Sequence, residues 1–341
     1  MLRFLDSFDA YGAVGSNLST LKNTMSGKWD SLETYLGGDT AFELITGVYG
    51  GIGLSFNFNY DSLAKTFDNQ QIWLLGFWIQ FISVANNNYL LQLLDGTNNQ
   101  VSLRTLTSPN RLGVYAVDTL VNSVNISTGQ WYYLELYADI QNGASGYCEL
   151  KLDNITVVSG NADTSRSGAN QASSIKFFTE TNRFYIDDLY IADGQAGVNT
   201  FLGKSTISIV YPESDVVTNW SPSTGSDHYA LVNDTVRNTS TYVSTDTANA
   251  IDSFIFPAGG YGSTIHGVQF CLEVASDSSD PKELEGVITF DSNESTITKK
   301  VLGGVNTPDT ILIPAEYQIN TTNAWTSSSI HAANFGCKKL S

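Results

Sequence analysis

WYYLELYADIQNGASGYCELKLDN, residues 131–154, is the stretch on which the fold turns. Side chains on an extended chain alternate between faces, so Leu134, Leu136, Ala138 and Ile140 fall on one side and Tyr133, Glu135, Tyr137 and Asp139 on the other. After the connector QNGAS the alternation resumes, with Cys148, Leu150 and Leu152 set against Tyr147, Glu149, Lys151 and Asp153. The Asn-Gly step inside the connector suits a chain reversal. The stretch therefore predicts an antiparallel hairpin with one apolar and one polar-aromatic face.

Outward from this hairpin, short strand-like runs such as LSFNF, LLGFWIQFI, YLLQLL, IKFF and FYIDDLYIA recur between clusters of Gly, Asn, Asp and Ser. That punctuation belongs to an all-β sandwich, and helical periodicity is weak throughout. Ser16 to Trp29 offers at most a turn of helix. Gly, Ala and Asn interrupt the strands over residues 192–205, and a second set follows: STISIVYP, HYALVND, TYVST, IDSFIFP, IHGVQFCLEVAS, LEGVITF, STITKKVL and DTILIPAEY. The expectation is two β-sandwich domains, 1–200 and a smaller 201–341, without a long linker between them.

The chain has 341 residues, with 34 Asp plus Glu against 17 Lys plus Arg and a net charge of −17. Such a field repels phosphate and argues against nucleic acid or an anionic membrane as partner. The N-terminal MLRFLDSFDAYG lacks the apolar stretch and small-residue site of a signal peptide. The richest apolar window, residues 72–82, is too short to insert in a membrane. Cys148, Cys271 and Cys337 are widely spaced and odd in number, so they predict small apolar space-fillers, not a zinc site or a disulfide framework.

FYIDDLYIAD, residues 184–193, carries adjacent carboxylates in a strand-forming run. Strict alternation puts Phe184, Ile186, Asp188 and Tyr190 on one face and Tyr185, Asp187, Leu189 and Ile191 on the other. Both faces are apolar, so each acid needs a hydrogen-bond donor, a proton or a metal. Three roles follow for Asp187 and Asp188: half of a catalytic pair, a ligand, or a structural acceptor pinning the strand. LDSFDAYG adds Asp6 and Asp9 on a strand able to pair with this one, so the four aspartates make a candidate calcium set. The alternative is that no cofactor is bound and the acids accept from backbone N–H groups or a nearby Trp or Tyr.

The Trp-strand, turn, strand pattern of residues 128–154 resembles concanavalin A-like and laminin-G-like jelly rolls, and FYIDDLYIAD resembles their closing strand. Residues 193–234, TYVSTDTANAIDSFIFP and NAWTSSSIHAANFGCKKL are similar to a family of tailed-bacteriophage virion proteins in which such a domain precedes a second β-domain. The resemblance implies a virion component assembled in the host cytoplasm, with capsid or tail subunits as partners, and a homo-oligomer.

The residues themselves oppose glycoside hydrolysis by a retaining pair, which needs carboxyls about 5–5.5 Å apart. Glu135 and Asp139 share a face but stand about 13 Å apart along a strand. His228, His266 and His331 sit in strand-like runs, and no Gly-x-Ser-x-Gly elbow occurs. The polar-aromatic face predicts a carbohydrate platform of Trp78, Tyr133 and Tyr137 with Gln80 and Glu135 as hydrogen-bonding partners, or else a surface covered by protein. Trp220 and Trp325, beside turn residues, are candidates for subunit contacts or for closing a sandwich end. These readings together predict a non-enzymatic phage structural protein, decorating, fibre or spike, with a host-surface glycan-binding adhesin as the alternative.

Overall fold

Trp131–Asp139 and Gly146–Leu152 form the expected hairpin, running antiparallel from the Leu134–Leu152 pair to Asp139–Tyr147, with the apolar face fully buried. The computed structural model describes every residue except 36–37, 58–59, 167, 196–198, 263, 278–281, 302–307 and 341, and describes the backbone alone at 298–301. The chain divides into two units. The first is Met1–Met25 with Trp29–Ile207, and the second is Ser26–Lys28 with Ser208–Ser341.

The first unit contains β1 (Leu2–Asp6), α1 (Leu18–Thr24), β2 (Ser31–Glu33), β3 (Phe42–Thr46), β4 (Ile52–Phe56), β5 (Asp61–Gln70), β6 (Ile72–Ser83) and β7 (Asn88–Asp95). It continues with β8 (Asn98–Leu106), β9 (Arg111–Ala116), β10 (Thr119–Asn125), β11 (Trp131–Asp139), β12 (Gly146–Leu152), β13 (Ile155–Ala162), β14 (Ala172–Thr179) and β15 (Arg183–Ala192). One sheet runs β13-β12-β11-β6-β15-β4-β3, with β1 also on β15, and the other runs β10-β9-β8-β7-β14-β5-β2. Their inner faces interlock through aromatic rings: Phe177 of β14 lies 5.2 Å from Phe77 of β6 and 6.2 Å from Phe56 of β4. This is an all-β sandwich, as the alternation predicts.

Strict alternation fails in β15. Its register against β6 passes from Asp187–Trp78 directly to Tyr190–Gly76, so Asp188 and Leu189 form a bulge, with Asp188 at φ +51°. An extra residue in a strand turns every later side chain to the opposite face. Tyr190 therefore shares a face with Asp187, not with Phe184 and Ile186. The bulge lies where β15 changes partner, leaving β4 after Ile186 and taking up β1 from Leu189. The closing strand is thus interior to its sheet, not an edge.

The second unit contains β16 (Ser214–Thr218), β17 (Ser221–Pro222), β18 (Val243–Ser244), β19 (Ile251–Ile255), β20 (Val268–Val274), β21 (Lys282–Phe290), β22 (Asn293–Val301), β23 (Asp309–Ala315), α2 (Ser327–Ala332) and β24 (Asn334–Lys339). A sheet of order β16-β19-β24-β21-β22 and the pair β20-β23 enclose a core of Phe254, Phe270, Ile288, Ile311, Ile313 and Phe335. Several sequence expectations change here. STISIVYP forms no strand, and HYALVND forms a 3-10 turn at Tyr229–Leu231, because Asp215 accepts from the His228 and Tyr229 amides. His331 lies in α2, whose start is set by a Thr326–Ser329 capping box, and His266 lies outside any strand. The boundary falls after Ile207 instead of residue 200, since residues 201–207 are bonded to the first unit.

Cys148 and Cys337 are buried, as expected of small apolar fillers, and burial pushes both thiols up to about 12. Cys271 is exposed, contrary to that expectation. No helix of the described residues is long and apolar enough to cross a membrane.

Candidate functional site

The residues expected to stack on sugars share one face of the first sheet, but the chain itself covers them. Trp78, Tyr133 and Glu135 are 5%, 0% and 1% exposed, and Trp78 and Tyr133 join Tyr190, Leu74 and Ala192 in a cluster packed by Tyr137, Phe201 and Leu202. Residues 201–207 lie along this face as a strap. The Gly203 amide donates to Glu135 Oε1 (2.9 Å), Trp78 Nε1 donates to the Ser205 carbonyl (3.1 Å), and the Ile207 amide donates to Asp188 Oδ1 (2.9 Å). Tyr190 also donates to Glu135 Oε1, at 2.8 Å. Gln80 and Tyr137 stay half-buried, with Gln80 Nε2 on the Gly129 carbonyl. The expected open platform is a closed aromatic core, because the strap finds its hydrogen-bond partners there.

Asp6, Asp9, Asp187 and Asp188 do come together, and each accepts hydrogen bonds from the protein. Asp6 accepts from the Phe8 amide (3.0 Å), Tyr11 Oη (2.5 Å) and Trp29 Nε1 (2.6 Å). Asp9 accepts from the Ile52 amide (2.7 Å). Asp187 accepts from the amides of Val48 (3.0 Å) and Asp188 (2.9 Å). A Cβ on Gly47 would overlap Asp187 Oδ2, so the turn after β3 needs a glycine for this carboxylate to reach Val48. Burial, reinforced by Asp188, raises the Asp187 carboxyl to about 8, and burial raises Asp188 to about 7 against the Ile207 hydrogen bond. Among the described residues no group of three or more His, Cys, Asp or Glu is placed to hold a metal ion, so the four aspartates do not fit a calcium cage. They accept from the turn amides of Val48 and Ile52, the bulge amide of Asp188, the strap amide of Ile207, and the buried Tyr11 and Trp29 donors.

Of the two tryptophans considered for subunit contacts, Trp325 is 2% exposed, inside the second core, with Nε1 on the Ala315 carbonyl at 3.0 Å. It closes a sandwich end and presents nothing to a partner. Trp220 packs half-buried on the same core and donates to the Ala250 carbonyl at 3.1 Å. His228 is buried against Asp252, 2.5 Å from Nδ1 to Oδ2, while Asp252 Oδ1 takes the Trp220 amide. The pair anchors the Trp220 loop to β19.

An open aromatic surface exists elsewhere, on the outer face of the second sheet. Since Phe177 points into the sandwich, its neighbours Lys176 and Phe178 point outward, and the register sets Lys176 between Ala64 of β5 and Gln92 of β7. Rings then follow one another from the segments flanking β2 and β5 onto the strands: Tyr35 to Tyr60 (6.0 Å), Tyr60 to Phe178 (6.1 Å) and Phe178 to Tyr89 (6.3 Å). The Arg104 guanidinium stacks on Tyr89 at 4.2 Å and on Tyr115 at 4.5 Å, extending the row to β9. From β5 to β9 the row crosses four inter-strand spacings, about 19 Å. Tyr35 is 78% exposed and Tyr60 49%, Phe178, Tyr89, Lys176 and Gln92 are half-buried, and Arg104 and Tyr115 at the inner end are buried.

Arg104 is what makes the inner end rigid. Its Nε donates to Ser102 Oγ (3.2 Å), and it pairs with Asp118, which also pairs with Arg166 and accepts from Tyr89 Oη (3.3 Å). Tyr60, Asn87 and Asp118 all have left-handed backbone, φ +64°, +56° and +66°, an arrangement that side-chain-bearing residues adopt at a cost. The signal in sequence was slight: Lys176 and Phe178 alternate with apolar Ile175 and Phe177, and Ser102 and Arg104 with Val101 and Leu103. Nothing there shows that three separate strands and the segments flanking β2 and β5 align their rings.

No family model and no curated protein matches the chain. Among solved structures it is similar to a sialidase at 12% identity and TM-score 0.41, over 57% of this chain and 19% of that one. It is also similar to the cellulose induced protein Cip1, at 13% identity and TM-score 0.41, over 60% of this chain and 100% of that one. A third is the endo-β-1,4-glucuronan lyase of Trichoderma reesei, at 10% identity and TM-score 0.40, over 56% and 95%. The chain thus spans about a fifth of the sialidase. At such identity the likeness concerns the β-sandwich fold. The expectation of a non-enzymatic phage structural protein is corrected by this finding: the three similar structures are a sialidase, the cellulose induced protein and a polysaccharide lyase.

Proposed function

We propose that the first unit binds an extended carbohydrate chain on the outer face of the β10-β9-β8-β7-β14-β5-β2 sheet. The observation that carries this reading is the ring row Tyr35, Tyr60, Phe178, Tyr89 and Tyr115 across neighbouring strands, open at its Tyr35 and Tyr60 end. Aromatic rings present a flat apolar face that a sugar ring can cover, and an aligned series of them suits a chain of sugars. Lys176 and Gln92 form a parallel row of donors beside the rings, which lets hydrogen bonds fix orientation while stacking supplies affinity. Arg104 and Asp118 hold the rings in place beforehand, which lowers the ordering cost of binding.

The test is calorimetric titration of soluble polysaccharides, with released reducing ends measured in the same mixtures. Tyr60→Ala and Phe178→Ala each weaken binding about tenfold, the equivalent of about 1.4 kcal/mol. Gln80→Ala, on the strap-covered face, leaves it unchanged. Unaltered binding by both ring variants, or loss with Gln80→Ala alone, would overturn the assignment.

A further inference from the structure

We infer that the glycan taken by this platform is anionic, its sugar rings carrying carboxylate or sulfate groups; the inference rests on the binding reading above and adds the substrate class. Acids outnumber bases two to one in the whole chain, 34 to 17, so an average patch of its surface is negative. Beside the ring row the two signs are about even. Asp118 serves both Arg104 and Arg166, Glu33 and Glu180 flank the row, and Lys176 stands beside the rings as a cation that no ion pair of the described residues takes up.

Lys176 is the group available to a ligand. Its Nζ lies 4.9 Å from the centre of the Phe178 ring, and the described residues show it in no ion pair. A cation resting on a ring face keeps its N–H groups free to donate. Glu180, past the end of β14, keeps its charge: the neutral Asn88 amide, turned with its nitrogen toward Glu180, donates to Oε2 at 3.0 Å. A sugar stacked on Phe178 brings a carboxylate or sulfate borne on its edge to the ammonium, while Gln92 in the next strand meets a hydroxyl.

The net charge of −17 opposes any polyanion at long range. At physiological salt, though, such fields fade beyond about 8 Å, while a contact between ammonium and carboxylate persists. Local charge therefore decides the preference. A neutral glycan would leave Lys176 with no partner that its ring contact does not already supply.

The discriminating experiment uses one backbone in two charge states: a polyuronate and the same polymer with its carboxyls reduced to alcohols, each titrated by biolayer interferometry at physiological salt. Dextran sulfate and dextran form a second pair, which identifies the anion. The wild-type protein binds the charged member of at least one pair tenfold or more tighter than the neutral member. Lys176→Gln removes most of that gap. Phe178→Ala weakens both members. Equal binding of charged and neutral chains by the wild type, or a gap that survives Lys176→Gln, overturns the anionic assignment and leaves the stacking platform standing. If no member of either pair binds, the platform reading itself falls and the anionic assignment falls with it. Circular dichroism confirms that each variant is folded.

Discussion

Asp6→Ala lowers the stability of the first unit by about 4 kcal/mol, because three buried donors lose their acceptor at once. The Phe8 amide, Tyr11 Oη and Trp29 Nε1 all end on this carboxylate, and Phe8, Tyr11 and Trp29 are each 3% exposed or less. Water cannot replace Asp6 there without opening the packing around Trp29, whose ring lies 5.1 Å from Phe4 and 6.4 Å from Phe8. For a unit of this size the loss corresponds to a fall of about 10 °C in its unfolding temperature, read by calorimetry. Asp6→Asn keeps one good acceptor and falls roughly half as far. Asp68→Ala, which removes an exposed partner of Arg3, moves the transition by less than a degree or two. A first-unit transition unchanged in Asp6→Ala would show that this carboxylate does not hold the N-terminal strand.

Acidification stabilises the protein between about pH 8 and pH 5, the reverse of ordinary acid denaturation. Asp187 and Asp188 have carboxyls raised to about 8 and about 7 in the folded state, chiefly by burial, against 3.8 as the ordinary value. Between those values the folded protein holds protons that the unfolded chain has released. Folding stability must then decline as pH rises, by up to about 1.4 kcal/mol per pH unit for each proton so held. The contribution is complete below pH 4 and lost once the pH passes the folded values. Unfolding temperatures at half-unit steps from pH 5 to pH 8.5 give the slope. Asp187→Asn and Asp188→Asn each flatten it, since an amide offers an acceptor without a charge to bury. A first-unit transition that rises with pH across the range would contradict the burial of these two acids.

Both results bear on why a strand should carry two adjacent acids. The chemistry of FYIDDLYIAD showed that each carboxylate needed donors, and the structure supplies them as Val48, Asp188 and Ile207 amides. The reason for the donors was hidden from the sequence. β15 is bordered on one side by β4 and then by β1, and the turn after β3, the bulge at the junction and the strap each bring an amide to these acids. Asp6 and Asp9, singled out with them for calcium, serve the same purpose at the neighbouring turn. Similarly, STISIVYP alternates like a strand but begins in a strap, because Trp78 and Asp188 capture its backbone before another strand can.

What the sequence determined by itself was the local part: period-two alternation made 131–154 a hairpin, and repeated turn residues made the chain all-β, since side-chain direction along a strand follows from the backbone alone. Which face would be open was a tertiary decision. Trp78, Tyr133 and Glu135 have the composition of a sugar platform, yet residues 201–207 return over them. Tyr35, Tyr60, Phe178, Tyr89 and Tyr115 share no motif and are up to 143 positions apart in number, Tyr35 to Phe178. Strand order and register align Phe178, Tyr89 and Tyr115, and the segments flanking β2 and β5 add Tyr35 and Tyr60, because residues on neighbouring strands meet through hydrogen-bonded pairing and not through any spacing along the chain.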